Sequence, residues 1–227
     1  MGESFGAYKI GDDAAMLEVV TTANIACGFH AGDPMVIQRT IRNAKRNRVA
    51  IGAHPSFADF YGFGRRRITG DRPEELEAQL IYQIAAVQGM AAADDYAMTH
   101  VKTHGALGNM AAEDASLAET CVQAVMAVDP QLSFVALPYS ETEKAAEKAG
   151  LPVVREVFAD RTYNDQGQLT PRSEPGAVIL DIQQSVDQVL EMVVNRLIPT
   201  MGGNKLGNGT GTGSGSAQSG GGASASA

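Results

Sequence analysis

The four histidines of the chain fall in three short Gly- and Asp-rich motifs, Cys27-Gly-Phe-His30-Ala-Gly-Asp33, Gly52-Ala-His54-Pro55 and His100-Val-Lys102-Thr-His104-Gly105, each at the end of an apolar run. Imidazole has an unperturbed pKa of about 6.5, so it exchanges protons or binds metal near neutral pH. A chain that uses so few histidines and gathers them at such positions points to one polar site assembled from several strand ends. Single rings can instead hydrogen-bond backbone in tight turns, but three such motifs together favour chemistry. Lys102, an ammonium between two imidazoles at a strand end, is hard to explain by solvation alone. Cys27 adjoins His30, which opens two options: a nucleophilic thiolate, or a small apolar group packed beside Gly28, the second being preferred.

These groups need a scaffold, and the chain alternates short apolar or β-branched runs with longer helical patterns. Thr22 to Cys27 reads as a strand, followed by a helix with Asp33 as N-cap, Pro34 at its first position and Val36, Ile37, Ile41 and Ala44 on one face. Strands are expected at Val49–Ala53, Tyr96–Lys102, Leu132–Leu137, Val153–Phe158 and Ala177–Leu180. Helices are expected from Asp71 to about Ala93 and over Ala115–Val128, Glu141–Ala149 and about Ser185–Leu197. About six strand-helix units predict an α/β fold with a parallel sheet, foremost a (β/α) barrel, with a doubly wound open sheet as runner-up. His30, His54, Lys102, His104, Tyr139, Glu156 and Asp160 would all follow their strands at the C-terminal end, the face on which barrel enzymes build active sites.

Composition narrows the partners. The 227 residues suffice for one sizeable α/β domain, and 44% hydrophobic content permits a real core. A formal net charge of -8 argues against nucleic acid or an anionic membrane surface, which require clustered Lys and Arg. Of the short basic clusters, Lys45-Arg46-Asn47-Arg48 closes a predicted helix, whereas Arg65-Arg66-Arg67 sits in a Gly-rich loop. Two cysteines, Cys27 and Cys121, and no leader or long apolar stretch make a reducing cytoplasm the default location. The barrel domain is assigned to residues 1–198. Residues 199–227, dominated by Gly and Ser, are read as a disordered tail, including a Gly-rich run from Gly207 that follows no strand and opens no helix.

Taken together, Gly2-Glu-Ser-Phe-Gly-Ala-Tyr-Lys, Gly11-Asp-Asp, Ala23-Asn-Ile-Ala-Cys-Gly-Phe-His-Ala-Gly-Asp-Pro34, Ile51-Gly-Ala-His-Pro55, Gly62-Phe-Gly-Arg-Arg66, His100-Val-Lys-Thr-His-Gly-Ala-Leu107 and Glu156-Val-Phe-Ala-Asp-Arg161 resemble the LamB/YcsF family over roughly residues 2 to 195. The resemblance implies a barrel of the glycoside hydrolase/deacetylase type. It also implies a role, together with B and C subunits, in opening the lactam 5-oxoproline (pyroglutamate) to glutamate at the expense of ATP, with Mg as its counter-ion. The pattern departs at Thr103 and Gly108, where the family usually has Pro and Tyr. The family's opening Asp-Leu-Asn-x-Asp-x-Gly-Glu strand and its closing Val-His-Gly-Asp segment have no counterpart, so the resemblance implies an incomplete barrel lacking its first and last strands.

A lactam is a resonance-stabilised amide, and phosphorylation of its oxygen by ATP is one way to activate it. Lys102, Arg65 and Arg66 are candidates for holding the developing charge. Glu156, Asp160, His104 and His54 are candidates for proton transfer, with Asp33 behind them as a residue that already has an N-cap role. His30, Arg161, Asp12 and Asp13 complete the candidate binding groups. Two alternatives stand beside this: a metal-dependent, deacetylase-like hydrolase with His30, His54 and His104 around a divalent ion, and a truncated, non-catalytic subunit.

Overall fold

The structure, a computed structural model, describes residues 1–172 and 174–207. Its frame is a parallel sheet of five strands, β1 (Thr22–Ala26), β2 (Ala50–His54), β3 (Met98–Val101), β4 (Ser133–Ala136) and β5 (Val153–Arg155), paired in sequence order. Helices α2 (Pro34–Asn47), α3 (Pro73–Ala93), α5 (Ala115–Val128) and α6 (Glu141–Ala149) connect successive strands. A short α1 (Asp13–Leu17) precedes β1, and α4 (Gly105–Glu113) is inserted between β3 and α5. Parallel strands in sequential order with helical crossovers form a mixed α/β, barrel-like arrangement.

Local sequence explains the elements. Asp33 caps α2 by accepting from the amides of Met35 and Val36, Pro34 opens it, and Arg48 in a left-handed conformation (φ 59°) closes it. Glu74 and Glu75 favour the positive start of α3 after Pro73. Ile25, Ile51, Val101 and Phe134 on adjacent strands are fully buried, as a parallel sheet covered by helices requires. Burying such a side chain contributes roughly 1.5–3 kcal/mol, more than an exposed ion pair at about 0–1 kcal/mol, so the core rather than surface charge fixes the strand order.

The expected strands and helices from Thr22 to Ala149 are all present within a few residues of their expected ends. Differences concentrate beyond β4. The strand expected to run to Phe158 ends at Arg155, because the chain turns to let the Phe158 amide donate to the Tyr163 hydroxyl at 2.6 Å. The strand expected at Ala177–Leu180 does not join the sheet. Its short apolar core folds back on residues 160–162 through one isolated bridge, Arg161 to Val178, and two backbone bonds. The last helix, α7 (Ile182–Val194), starts earlier than expected because Asp181 caps it by accepting from Gln184 N. It also stops earlier, at Val194, and a left-handed Arg196 (φ 58°) then turns the chain so that Leu197 enters a hairpin of β6 (Leu197–Pro199) and β7 (Lys205–Gly207). The composition-based boundary at residue 198 therefore cuts this hairpin, whose second strand contains Leu206. The remainder of the Gly/Ser-rich segment, 208–227, lies outside the described residues.

At the other end of the chain, Met1 lies along the free edge of β1, its ammonium donating to Asn24 O and its carbonyl accepting from Ala26 N. Among the described residues no helix is long and apolar enough to cross a membrane.

Candidate active site at the C-terminal edge of the sheet

Backbone bonds continue past the strand ends and place the chemistry. Lys102 N donates to Ala53 O, His104 N to Pro55 O, and Glu156 N to Ala136 O. Because all five strands run the same way, the residues after β1, β2, β3 and β5 reach one edge of the sheet, as the sequence predicts.

Three of the four histidines meet there. The His30 and His104 rings stack with centroids 3.8 Å apart and 6° between planes, and His54 stands edge-on to His104 at 4.8 Å. His54 Nδ1 lies 2.6 Å from Lys102 O, His104 Nε2 lies 2.9 Å from Phe63 O, and His104 Nδ1 faces His54 Nε2 at 3.1 Å. Neither nitrogen of His30 has a hydrogen-bond partner among the described residues. Burial first, then the neighbouring His104, the amino terminus and Arg65, pushes the His30 pKa down to about 3. Burial and His104 hold His54 well below the usual imidazole value, and burial lowers His104 against the opposing effects of the Phe63 carbonyl and Glu3.

The fourth histidine does not join them. His100 projects across β2 to Asn24 Oδ1 at 2.9 Å, its other nitrogen 2.9 Å from Thr99 Oγ1, and burial lowers its pKa to about 4. Gly52 makes this possible, since a Cβ there would stand 2.3 Å from the ring. Cys27 is no thiolate either, because burial pushes its thiol up to about 12.

His54 and His104 form part of the wall of a cavity of about 700 Å³, with Lys102, Glu156 and Arg65 also lining it. Lys102 Nζ donates to Glu156 Oε1 at 2.5 Å and sits 5.2 Å from the centre of the Phe158 ring. Arg65 lies over the Phe63 ring at 5.5 Å. The remaining candidates have structural partners. Arg66 is bound to the buried Asp59. Arg161 reaches the cavity wall, but its guanidinium donates to the backbone carbonyls of Ala177 and Thr170. Asp160 is not part of the cavity lining, and its charge acts on Arg161 and Tyr163. Asp12 caps α1. Asp13 accepts from Gly2 N and Asp33 from Gly6 N, so both pin the segment that carries Glu3.

Sequence reasoning missed two residues here. A carboxylate oxygen of Glu3 lies within 4.8 Å of a nitrogen each of His30 and His104. Its signal is its place in the Gly2-Glu3-Ser4 motif, which no periodicity could connect to His30. Asp59 organises the Gly-rich loop by accepting from Gly62 N, Arg66 N and the Arg66 guanidinium, while its own carbonyl accepts from Gly64 N. The Arg66 hydrogen bond is the main cause that holds the Asp59 carboxyl below its usual range. That loop presents Phe63 O to His104.

A divalent ion held by His30, His54 and His104, or by Glu3, His30 and His104, is opposed by ring direction rather than by distance. Imidazole lone pairs lie in the ring plane, and those of two rings stacked nearly parallel at 3.8 Å cannot both point at one ion. Both nitrogens of His104 are in addition already turned to Phe63 O and His54.

The model of the LamB/YcsF family matches residues 1–211. The chain is 49% identical over 203 residues to the 5-oxoprolinase A subunit of Rhodopseudomonas palustris, covering 89% of this chain and 80% of that protein. It is 51% identical to the 5-oxoprolinase A subunit of Brevibacillus brevis over 203 residues, with the same two coverages. Its fold is similar to the crystal structure of a lactam utilization protein from Thermus thermophilus, with a TM-score of 0.86 and 43% identity over 90% of this chain and 83% of that one.

Proposed function

The chain belongs to the LamB/YcsF family, and from that membership we propose that it is the A subunit of an ATP-dependent 5-oxoprolinase, acting with B and C subunits to open 5-oxoproline to glutamate. The observation that carries this is the Lys102–Glu156 pair, which with the His54 and His104 rings lines one cavity of about 700 Å³, large enough to admit a small lactam. Relatives at about 50% identity that are named for this activity support it. The glycoside hydrolase/deacetylase type of barrel belongs to the same proposal.

In this reading ATP, a substrate of the complex with Mg as its counter-ion, transfers its γ-phosphoryl group to the lactam oxygen. Water then adds to the activated carbon, the ring C–N bond breaks with a proton going to nitrogen to leave an acyl phosphate, and a second water cleaves that acyl phosphate to glutamate and inorganic phosphate. Lys102 stabilises the negative charge of the transferred phosphoryl group, and Arg65 adds a second cation in the wall. Glu156 aims Lys102 and, being partly solvated, accepts the proton of the attacking water. His54 and His104, held by backbone carbonyls, keep one ring orientation in the wall.

The experiment is coupled release of ADP and glutamate on mixing this chain with B and C subunits. Ring opening that requires all three proteins and ATP is expected. Ring opening by this chain without ATP, or ATP consumption unaffected by its omission, would sink the proposal.

A further inference from the structure

The three hydrogen bonds around His54 and His104 do not balance if both rings are neutral. A carbonyl oxygen only accepts, so His54 Nδ1, 2.6 Å from Lys102 O, and His104 Nε2, 2.9 Å from Phe63 O, must each carry a proton. In a neutral imidazole the other nitrogen is then a bare lone pair. Those two nitrogens, His54 Nε2 and His104 Nδ1, face one another at 3.1 Å in hydrogen-bonding geometry. Two lone pairs at that separation repel, and one additional proton between them removes the repulsion. Changing either tautomer instead sets a lone pair against a carbonyl oxygen.

We propose that His54 and His104 share one proton, so that the pair is a single buried cation which, with Lys102 and Arg65, forms an oxyanion-holding wall of the cavity. The surroundings suit a charge held only while an anion is near. Glu3 favours the charged pair, and the neutral His30 ring offers its face to His104 at 3.8 Å. Burial, Lys102 beside His54, Arg65 and the Met1 ammonium oppose it, and Cys27 near His54 is a neutral thiol. Glu156 offsets part of the Lys102 charge. An oxyanion entering the cavity tips this balance toward the proton. By linkage, proton and anion then strengthen each other's binding. The pairing rests on ring geometry alone, whereas the identity of the natural anion, a phosphate or phosphorylated lactam, rests on the ring-opening proposal.

The test uses the intact chain with its histidines 15N-labelled and sulfate as probe, because sulfate does not titrate near neutrality. At about pH 6.5 with sulfate present, nitrogen NMR is expected to find three protons on the four nitrogens of His54 and His104. As the pH rises and the third proton leaves, sulfate affinity should fall by about tenfold, within the ordinary range of coupling. In His54→Gln, His104 should be neutral and this pH dependence should vanish. Two protons on the pair throughout, or sulfate affinity that is flat with pH, would overturn the shared proton. Three protons on the pair in a chain that fails to open 5-oxoproline when mixed with B and C subunits and ATP would support the pair and count against the reaction, so the two failures are distinguishable.

Discussion

Replacing Lys102 by Met separates chemistry from folding, because Met keeps the length of the stem and removes only the ammonium. The side chains of Lys102 and Glu156 are 20% and 27% exposed, so water and salt already screen their pair. A pair of this kind contributes about 0–1 kcal/mol, and the ammonium over Phe158 adds about 0.5–1 kcal/mol. At roughly 2–4 °C per kcal/mol for a domain of this size, the thermal midpoint should fall by no more than about 8 °C. An ammonium already aimed at the place where charge develops in the transition state is worth more, and its loss should lower the rate at least roughly 100-fold, about 2.7 kcal/mol of barrier. The assays are thermal unfolding of the chain and ATP-dependent glutamate release by the assembled complex. Lys102→Arg, which keeps the charge but not the geometry of the Glu156 contact, should recover part of the rate. A large fall in midpoint with the rate preserved would assign Lys102 to the fold and refute the charge-holding role.

Three further outcomes are expected. Gly52→Ala drives a Cβ against the His100 ring and the His100 carbonyl, at 2.3 and 2.5 Å, and should destabilise the chain by about 1–3 kcal/mol or more in urea unfolding; wild-type stability would mean that His100 does not cross β2. His30 and His100, with pKa values lowered to about 3 and about 4, bind protons more readily unfolded than folded, so their stabilisation is complete above about pH 6.5 and lost as the pH falls; from pH 7 to 5 each should cost about 2 kcal/mol, and His100→Gln should remove its share of that slope. Asp59 has its carboxyl held low by Arg66, so its contribution is present above the unfolded value near 3.9 and is lost as the pH falls through the lower folded value; Asp59→Asn should flatten the acid limb of the stability profile, and an unchanged limb would disprove the role of that pair.

The sheet and the residues that follow its strands were legible in the sequence because both depend on local signals. Asp33-Pro34 starts a helix whatever surrounds it, and an apolar run such as Val49–Ala53 has few alternatives to a buried strand. From parallel strands it follows that His54, Lys102, His104 and Glu156 share an edge. Three kinds of information were out of reach. Periodicity places a strand end but not a ring direction, so His100 looked like His104 although it points across Gly52 to Asn24. Charge type does not reveal a partner, so Arg66 and Arg161 looked like ligands while Asp59 and two backbone carbonyls use them. Beyond Arg155 the structure is built from isolated bridges and a short hairpin, whose register depends on Tyr163, Met192 and Ile198 packing together rather than on any local pattern.

The same contrast explains why the site is held by backbone. Rings that must keep one orientation in a cavity wall cannot rely on other flexible side chains, since each added rotamer must itself be fixed at an entropic cost. His54 and His104 are anchored by the carbonyls of Lys102 and Phe63. The first carbonyl belongs to a residue whose amide bonds to Ala53 O, an extension of the strand ladder. The second belongs to a loop tied down by Asp59 and by the bond from Ala106 N to Gly64 O. Gly64 is favoured as glycine on two counts: its φ of +65° is one that residues with a Cβ rarely adopt, and a Cβ there would stand 2.3 Å from Ser56 Oγ and 2.7 Å from the His104 ring. Gly64→Ala should therefore displace the Phe63 carbonyl and free the His104 ring before it unfolds the chain. The expected result is a loss of ring-opening rate greater than the loss of stability, with the His104 nitrogen signals changed. A variant that loses stability while keeping both its rate and those signals would show that the loop supports the fold and not the ring.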